Sequence, residues 1–526
     1  MQIIPPGRRT DSPSPRLAPP KQFLYANKPP SAAGKSDELN QAVEVLCNPH
    51  HGHTKAEAER CVNRAARWCV EHRKFDDLEW LSRRALHVDT AFCKVRDEAV
   101  LDLSDGELNS EDLIFLNEWL AQRKDNVPLT LHLARNDFDD VPCGQNLAAL
   151  TSEPAIVLLD VTACELSSDG AKLLCNAIES NSTLTTLHLG WNPSKDLSGA
   201  VSDMLERNST LLHLDLVGCD FKPACFQRIG KALERNASLK QLYLGCSSRS
   251  DPGTLDTGIH ALLTSLVKRE APMECLGLSY CYPEKNREAC LLQVAELLKR
   301  PSGRELQGFS LAGWPMNANE CSVLNKALLA TRTLTYLDLS QSDLRNDERK
   351  NLYEGLQQGL CEALRSNPKF ATLKLNGWHL GPELIDSLIL LLHSKTCRLK
   401  TLELKEESRK SKKQHKKLHP AVARNLSLVS FEAKEGASTN KQHRKIAQQV
   451  ARNMQRQTRL LAPATVAFDS MMRSRRTPTS VPREILQDIT HWIDRIGGPL
   501  DLQNLIIAAV NRSYNDAPPS SSLFCE

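Results

Sequence analysis

Four nine-residue stretches, LTTLHLGWN (184–192), LLHLDLVGC (211–219), LKQLYLGCS (239–247) and LTYLDLSQS (334–342), carry one apolar pattern along a chain of 526 residues, and nothing else in the sequence constrains the fold as strongly. Weaker copies read PLTLHLARN (128–136), IVLLDVTAC (156–164), FATLKLNGW (370–378) and LKTLEL (399–404). The closing apolar residue of each copy falls at 103, 133, 161, 189, 216, 244, 278, 311, 339, 375 and 404. Five of the ten intervals are 27 or 28 residues and the longest is 36, so the period is that of one strand and one helix. Stretches between the copies, such as SGAVSDMLERN (198–208) and FQRIGKALERN (226–236), place apolar residues every three or four positions, as a helix with one buried side does.

A short parallel strand and one amphipathic helix cannot bury their apolar faces alone, so each unit needs neighbours on both sides. Strand alternation sends Leu184, Leu187 and Leu189 inward and Thr186, His188 and Gly190 outward. The turn after each strand leaves backbone groups in need of partners, and a small polar side chain three residues on can supply them. Asn136, Cys164, Asn192, Cys219 and Cys281 hold that position, whereas Trp314 and Trp378 interrupt the ladder in later copies.

The LxxLxLxx(N/C)xL pattern with its intervening helix resembles the ribonuclease-inhibitor type of leucine-rich repeat. The resemblance spans roughly 300 residues. It implies an α/β fold: a right-handed leucine-rich-repeat solenoid, strands lining a concave face and helices outside, with a helical N-terminal cap and a C-terminal helical segment. The long intervals 244–278, 278–311 and 339–375 are expected to hold loop insertions. The organisation that follows is a Pro/Ser-rich disordered leader (1–35), a helical cap (36–96), the solenoid (97–434) with a basic loop at 405–419, a basic helical linker (435–476), an F-box-like helical segment (477–518) and a disordered tail (519–526). Within the cap, Cys47, His50, His51, His53 and Cys61 raise the question of zinc. The three histidines sit in one turn and no paired-ligand spacing accompanies them, so polar loop residues and packed thiols account for the same letters, and no metal or cofactor is expected.

Charge is segregated. Residues 405–476 carry 18 Lys/Arg against five Asp/Glu, residues 477–526 carry three against six, and residues 31–404 hold a net charge of −10. An acidic body with a basic strap speaks to partners rather than to fold. RKSKKQHKK (409–417) reads as a solvated loop or as a nuclear-import signal built on Lys412, Lys413, Lys416 and Lys417, which would engage an import receptor. The run holds no aromatic residue for stacking on bases, and sequence-specific nucleic-acid binding is not expected. Residues 439–461 form a basic amphipathic helix, able to extend the patch or lie on a membrane surface. No apolar run approaches the length of a transmembrane segment. The 17 cysteines, with no CxxC pair, fit free thiols in a reducing compartment.

None of the phosphate-loop, HExxH or GxSxG motifs occurs, so the expected activity is binding rather than catalysis. The outward strand positions His132, Asp160, His188, Asp215, Tyr243 and Asp338 form the candidate target-binding face for a protein ligand, flanked by Asp102, Lys374 and Glu403. His188 should lie between Asp160 and Asp215. The Ran-type GTPase activators share this repeat class, but they tend to follow it with an acidic tract where this chain is basic.

The C-terminal VPREILQDITHWI (481–493) resembles the opening of an F-box, with a second helical stretch, DLQNLIIAAVNRSY (501–514), after a Gly-Gly-Pro break. Pro482, Glu484, Ile485, Leu486, Ile489 and Trp492 carry that match. The resemblance implies docking to a Skp-type adaptor and recruitment of a cullin ubiquitin ligase, with the repeats holding the target. The acid-poor leader, the missing secretory signal and the basic run together resemble bacterial leucine-rich-repeat/F-box effectors of the GALA type, delivered by a type III-like route into host cytoplasm or nucleus. The other reading is a cytoplasmic or nuclear scaffold whose terminal helices only cap the solenoid. The two differ in where the Leu486 stripe is buried. In the docking case, Leu486→Glu with Ile489→Glu leaves the far-ultraviolet circular dichroism of the chain intact and abolishes Skp co-purification. A capping helix instead loses two buried aliphatics, about 2–5 kcal/mol each, and the repeats melt earlier.

Overall fold

A computed structural model describes residues 55–88 and most of 99–433, together with 38, 41, 42, 449, 450, 452 and 453; the breaks within 99–433 are short apart from 342–359. The F-box-like residues, the 1–35 leader and the Cys47/His50/His51/His53 cluster lie outside the described residues, and each of the three long intervals contains one of the breaks. The chain divides into two units at Val88/Asp89.

The first unit holds helices α1 (Lys55–Glu71) and α2 (Phe75–Val88). Val62, Ala65, Cys69 and Val70 of α1 and Leu78 and Leu81 of α2 are buried, so each helix has one packed side. Arg73 turns the chain between them at φ 52°, with Lys74 N–H donating to Cys69 O at 2.8 Å.

The second unit is one parallel sheet of twelve strands in chain order. They are β1 (Ala99–Asp102), β2 (Leu129–His132), β3 (Ile156–Asp160), β4 (Thr186–His188), β5 (His213–Val217), β6 (Gln241–Gly245), β7 (Cys275–Ser279), β8 (Gly308–Ser310), β9 (Tyr336–Asp338), β10 (Thr372–Lys374), β11 (Thr401–Leu404) and β12 (Ser430–Ala433). Helices fill the intervals: α3 (Ser110–Gln122), α4 (Val141–Thr151), α5 (Ser168–Glu179), α6 (Leu197–Arg207), α7 (Pro223–Arg235), α8 (Asp256–Lys268), α9 (Arg287–Leu298), α10 (Ala318–Ala330), α11 (Pro382–His393) and α12 (Lys412–Arg424). All eleven closing residues expected from the sequence are 0–1 % exposed. Strand β12 is an addition: Leu428, Phe431 and Ala433 keep the apolar spacing, but with residues unlike the leucines of earlier copies.

The basic loop expected at 405–419 is corrected. Helix α12 begins at Lys412, so Lys412, Lys413, Lys416 and Lys417 are helical. Leu418, Ala421 and Val422 are buried at helical spacing, which provides the packed face that a helix needs, and lysine is a good helix former.

The tryptophans do not break the interior ladder; they continue it. A donor from one repeat reaches the carbonyl of the closing apolar residue of the repeat before. Asn136 Nδ2 donates to Leu103 O at 3.1 Å, Cys164 Sγ to Leu133 O at 3.1 Å, Asn192 Nδ2 to Val161 O at 2.8 Å and Cys219 Sγ to Leu189 O at 3.4 Å. Trp314 Nε1 then donates to Leu278 O at 2.7 Å and Trp378 Nε1 to Leu339 O at 2.6 Å. An indole N–H does from a larger ring what the amide does from a small side chain.

A second ladder, absent from the sequence reading, runs along the helix C-termini. Asn208 Nδ2 donates to Ile178 O and Asn181 O, and Asn236 Nδ2 to Leu205 O and Asn208 O, at 2.8–3.2 Å. Where asparagine is missing, the buried Arg269 gives Nη2–H to Asn236 O at 2.9 Å and Leu239 O at 2.6 Å. Its burial, and then the neighbouring Arg300, lower its pKa to about 10. Asn367 and Asn425 resume the pattern. Asn453 extends it, donating to Asn425 O at 3.0 Å and Leu428 O at 2.8 Å from helical residues within the stretch expected to be a linker.

The ladder makes a graded prediction. Asn192→Ala strands the Val161 carbonyl and the Cys164 and Leu166 N–H groups, leaves Leu189 O to Cys219 and Gly190 O to Ala163, and should cost about 3–5 kcal/mol. Trp314→Phe removes one of two donors to the Leu278 carbonyl, which keeps the Cys281 N–H, and should cost about 1 kcal/mol. Urea unfolding followed by circular dichroism checks the order, and equal losses would contradict it.

Candidate functional site

The strand face carries the one continuous row of chemistry-bearing side chains that the sequence marks out. Register places Asp102, His132, Asp160, His188, Asp215 and Tyr243 side by side on β1 to β6. Gly277 and Ser310 follow, then Asp338, Lys374 and Glu403 on β9 to β11. All six target-binding candidates therefore lie in one row, although Gly277 and Ser310 separate Asp338 from the other five.

The centre of the row is electrostatically uneven. Asp160 Oδ2 lies 3.2 Å from His132 Nδ1 and 3.9 Å from His188 Nδ1, and its Oδ1 accepts from Thr162 N–H at 3.0 Å. Burial acts to raise the Asp160 carboxyl, but the hydrogen bonds from His132 and Thr162 and the nearby His188 outweigh it and hold the pKa well below the carboxylate range. Asp215 is different. Burial pushes its pKa up, and the Val217 N–H at 2.9 Å and the nearby His188 only partly offset this. His188 does lie between the two carboxylates, but its Nδ1 turns to Asp160 while its buried Nε2 has no hydrogen-bond partner. Toward the far end, Lys374 Nζ pairs with Glu403 at 3.0 Å, and Asp338 accepts from Tyr336 Oη–H at 3.3 Å.

Two neighbours were not legible in the sequence. His213, two residues before Asp215, has its ring 5.1 Å from that of His188 and 5.3 Å from that of Tyr243. Burial, and then His188, lower its pKa to about 4. Trp191 is 55 % exposed and sits in a left-handed turn at φ 57°. The same turn follows other strands at Asp105, Arg135, Ala163 and Tyr280, and at Gly218, Gly313 and Gly377. A Cβ at Gly218 would meet the Trp191 indole at 2.5 Å, so the missing side chain in one repeat makes the seat for the exposed ring of the repeat before. Gly190 lets the next strand end come close, since a Cβ there would lie 2.9 Å from Val217 O and 3.6 Å from Asp215 Oδ1. Gly190 was expected to face outward, but the Val217 backbone covers it.

Beside this repeated parallel strand–helix unit with in-register leucines stands a partial sequence similarity to curated proteins. The chain is 27 % identical over 284 residues to human (Homo sapiens) NACHT, LRR and PYD domains-containing protein 2, which covers 45 % of this chain and 26 % of that protein. It is 26 % identical over 287 residues to NACHT, LRR and PYD domains-containing protein 14 of Mus musculus, covering 50 % and 25 %. It is 31 % identical over 181 residues to protein 9B of the same series in Mus musculus, covering 34 % and 15 %. It is a leucine-rich-repeat protein. The chain spans about a quarter of the length of these relatives or less. No protein-family model matches this leucine-rich-repeat chain. Among solved structures, a TLR13–ssRNA13 complex aligns with 64 % of this chain and 52 % of that chain at 14 % identity and a TM-score of 0.27, a superposition too loose to bear on ligands. No helix among the described residues is long and apolar enough to cross a membrane.

The half-buried His213 sets a pH dependence. Its folded pKa of about 4 lies below the ordinary 6.5, so the unfolded chain takes up the proton first. The stability that neutral His213 contributes is complete above about pH 6.5 and is lost as pH falls toward 4, on the order of 1 kcal/mol per unit. The Asp160 contribution is lost only below about pH 4, where an unfolded carboxylate begins to protonate. Thermal melts at pH 7 and pH 5 should therefore differ less for His213→Gln than for the unsubstituted chain. An unchanged difference would mean that His213 is not the group responsible.

Proposed function

We propose that this leucine-rich-repeat protein is a non-catalytic binding module whose strand face, between β2 and β6, takes a protein partner presenting a cationic side chain. The repeat fold supports protein partners in general. The observation that carries the finer reading is Asp215, a largely buried carboxylate with no salt bridge among the described residues, on the strand adjacent to the one that leads into the exposed Trp191. A buried carboxylate without a counter-charge is costly, and an incoming guanidinium or ammonium relieves that cost. An exposed indole held on a glycine floor offers both apolar area and a face for a cation. Charge agrees: Asp102, Asp160, Asp215, Asp338 and Glu403 share the row with one lysine, Lys374, and that lysine is already paired. Hot spots of interfaces are enriched in tryptophan and in desolvated charge pairs of this kind.

The named relatives are mammalian leucine-rich-repeat proteins, which favours the scaffold reading over the bacterial effector one. Adaptor docking through Pro482, Glu484, Ile485, Leu486, Ile489 and Trp492 rests on the sequence resemblance alone, as does nuclear import through the α12 lysines. A reducing compartment is supported by the use of Cys164 and Cys219 thiols as interior donors, a role that oxidation would end.

Affinity capture followed by binding titration tests the site. Asp215→Asn and Trp191→Ala should each weaken the captured partner at least tenfold, about 1.4 kcal/mol or more, while the melting temperature stays within a few degrees. Binding should also weaken as salt rises from about 0.05 to 0.3 M. A partner retained by both variants would move the interface to the helices or to the C-terminal segments.

A further inference from the structure

The interior ladder has one place where its logic changes. Cys281 holds the rung three residues after Leu278, whereas Cys246 stands two residues after Leu244, one short of the rung. By the pattern of the other rungs, Cys281 Sγ would approach the Leu244 carbonyl. Instead the two thiols face each other, with Sγ to Sγ 3.1 Å. The strand ends beneath them are tied in register, Gly245 against Ser279, with Cys246 N–H donating to Ser279 O at 3.1 Å. A disulfide needs about 2.0 Å between sulfurs, so closure requires an approach of roughly 1 Å, within the reach of small side-chain rotations.

We infer that Cys246 and Cys281 are a dithiol modification site that a hydroperoxide converts into a disulfide between the β6 and β7 repeats. Cys246 is the entry point, being 3 % exposed where Cys281 is fully buried. In the first step the Cys246 thiolate attacks a peroxide oxygen; the O–O bond breaks and the alkoxide or hydroxide leaves, taking up the thiol proton. In the second, Cys281 attacks the sulfenic sulfur; the S–S bond forms, and the S–O bond breaks to release hydroxide, which takes up the second proton as water. Two thiols lose two electrons and one peroxide gains them. Burial holds the Cys281 thiol well above its ordinary range, which makes the reaction slow and dependent on opening of the strand end. The other rung thiols have no such outlet: Cys164 and Cys219 each donate to a carbonyl.

The test uses the full chain, reduced and then exposed to hydrogen peroxide, alkylated, digested with trypsin and mapped by mass spectrometry. The expected product joins peptide 241–249 to peptide 270–285. Because the second peptide also holds Cys275, the Cys275→Ser chain must still give the product, and Cys246→Ser and Cys281→Ser must not. The oxidised protein should melt at a higher temperature than the reduced one. Cys61 and Cys397, two of the three part-exposed thiols among the described residues, report that the oxidant has acted. If those two are oxidised while 246 and 281 are recovered as free thiols, or if Cys246 is found joined to a different cysteine, the inference fails. Circular dichroism of the serine variants guards against misfolding, and if they unfold the mapped bond in the unsubstituted chain decides alone.

Discussion

The fold depends on the carbonyl that each strand leaves behind as it ends. Sheet pairing satisfies the strand itself, but the chain then turns away from the sheet, and the carbonyl of the closing leucine remains in an apolar interior. Left unpaired it would cost on the order of 1–3 kcal/mol per repeat, enough over a dozen repeats to exceed the whole stability of an ordinary domain. A donor projected from the next repeat removes that cost and at the same time sets the spacing between repeats. Hydrophobic burial drives the repeats together, but it is non-directional; the ladder is what makes one stacking register better than its neighbours.

The ladder also explains what the sequence could and could not say. Leucine spacing is decided within one repeat, so the strand register, the inward residues and the outward row from Asp102 to Glu403 were legible. The rung is decided between repeats, by whether a donor can reach a carbonyl some thirty residues back. Asparagine, cysteine, glutamine and tryptophan differ in size and hydropathy, and Gln341 joins them by donating to Trp314 O. They look like departures until geometry shows the shared N–H or S–H. The helix-end ladder is harder still, because Arg269 and Asn236 share nothing as letters and are equivalent only as buried donors.

The same distinction separates the parts of the candidate site. Alternation alone placed His132, Asp160, His188, Asp215 and Tyr243. Trp191 needed knowledge of Gly218, since an exposed indole is held there only because the next repeat has no side chain in its way. His213 belongs to the neighbouring outward row and reads as one more solvent-facing residue until the rings of His188 and Tyr243 close on it. Asp160 and Asp215 are identical in the repeat pattern, yet their pKa values move in opposite directions. Asp160 has two histidines and Asp215 has chiefly burial.

That contrast says where a partner gains most. A cation docking at Asp160 would compete with His132 and His188 for oxygens already engaged, and would gain little beyond replacing them. At Asp215 the desolvation has already occurred on folding, so the incoming charge meets a carboxylate that has lost much of its water and has one backbone N–H in return. The protein thus holds, in its free state, part of the cost that an interface normally bears on binding, and the glycine-seated tryptophan after the adjacent strand is held in place before the partner arrives. Preorganisation of both groups by neighbouring repeats, rather than the sum of negative charge along the face, is the reason to centre the interface on β4 and β5.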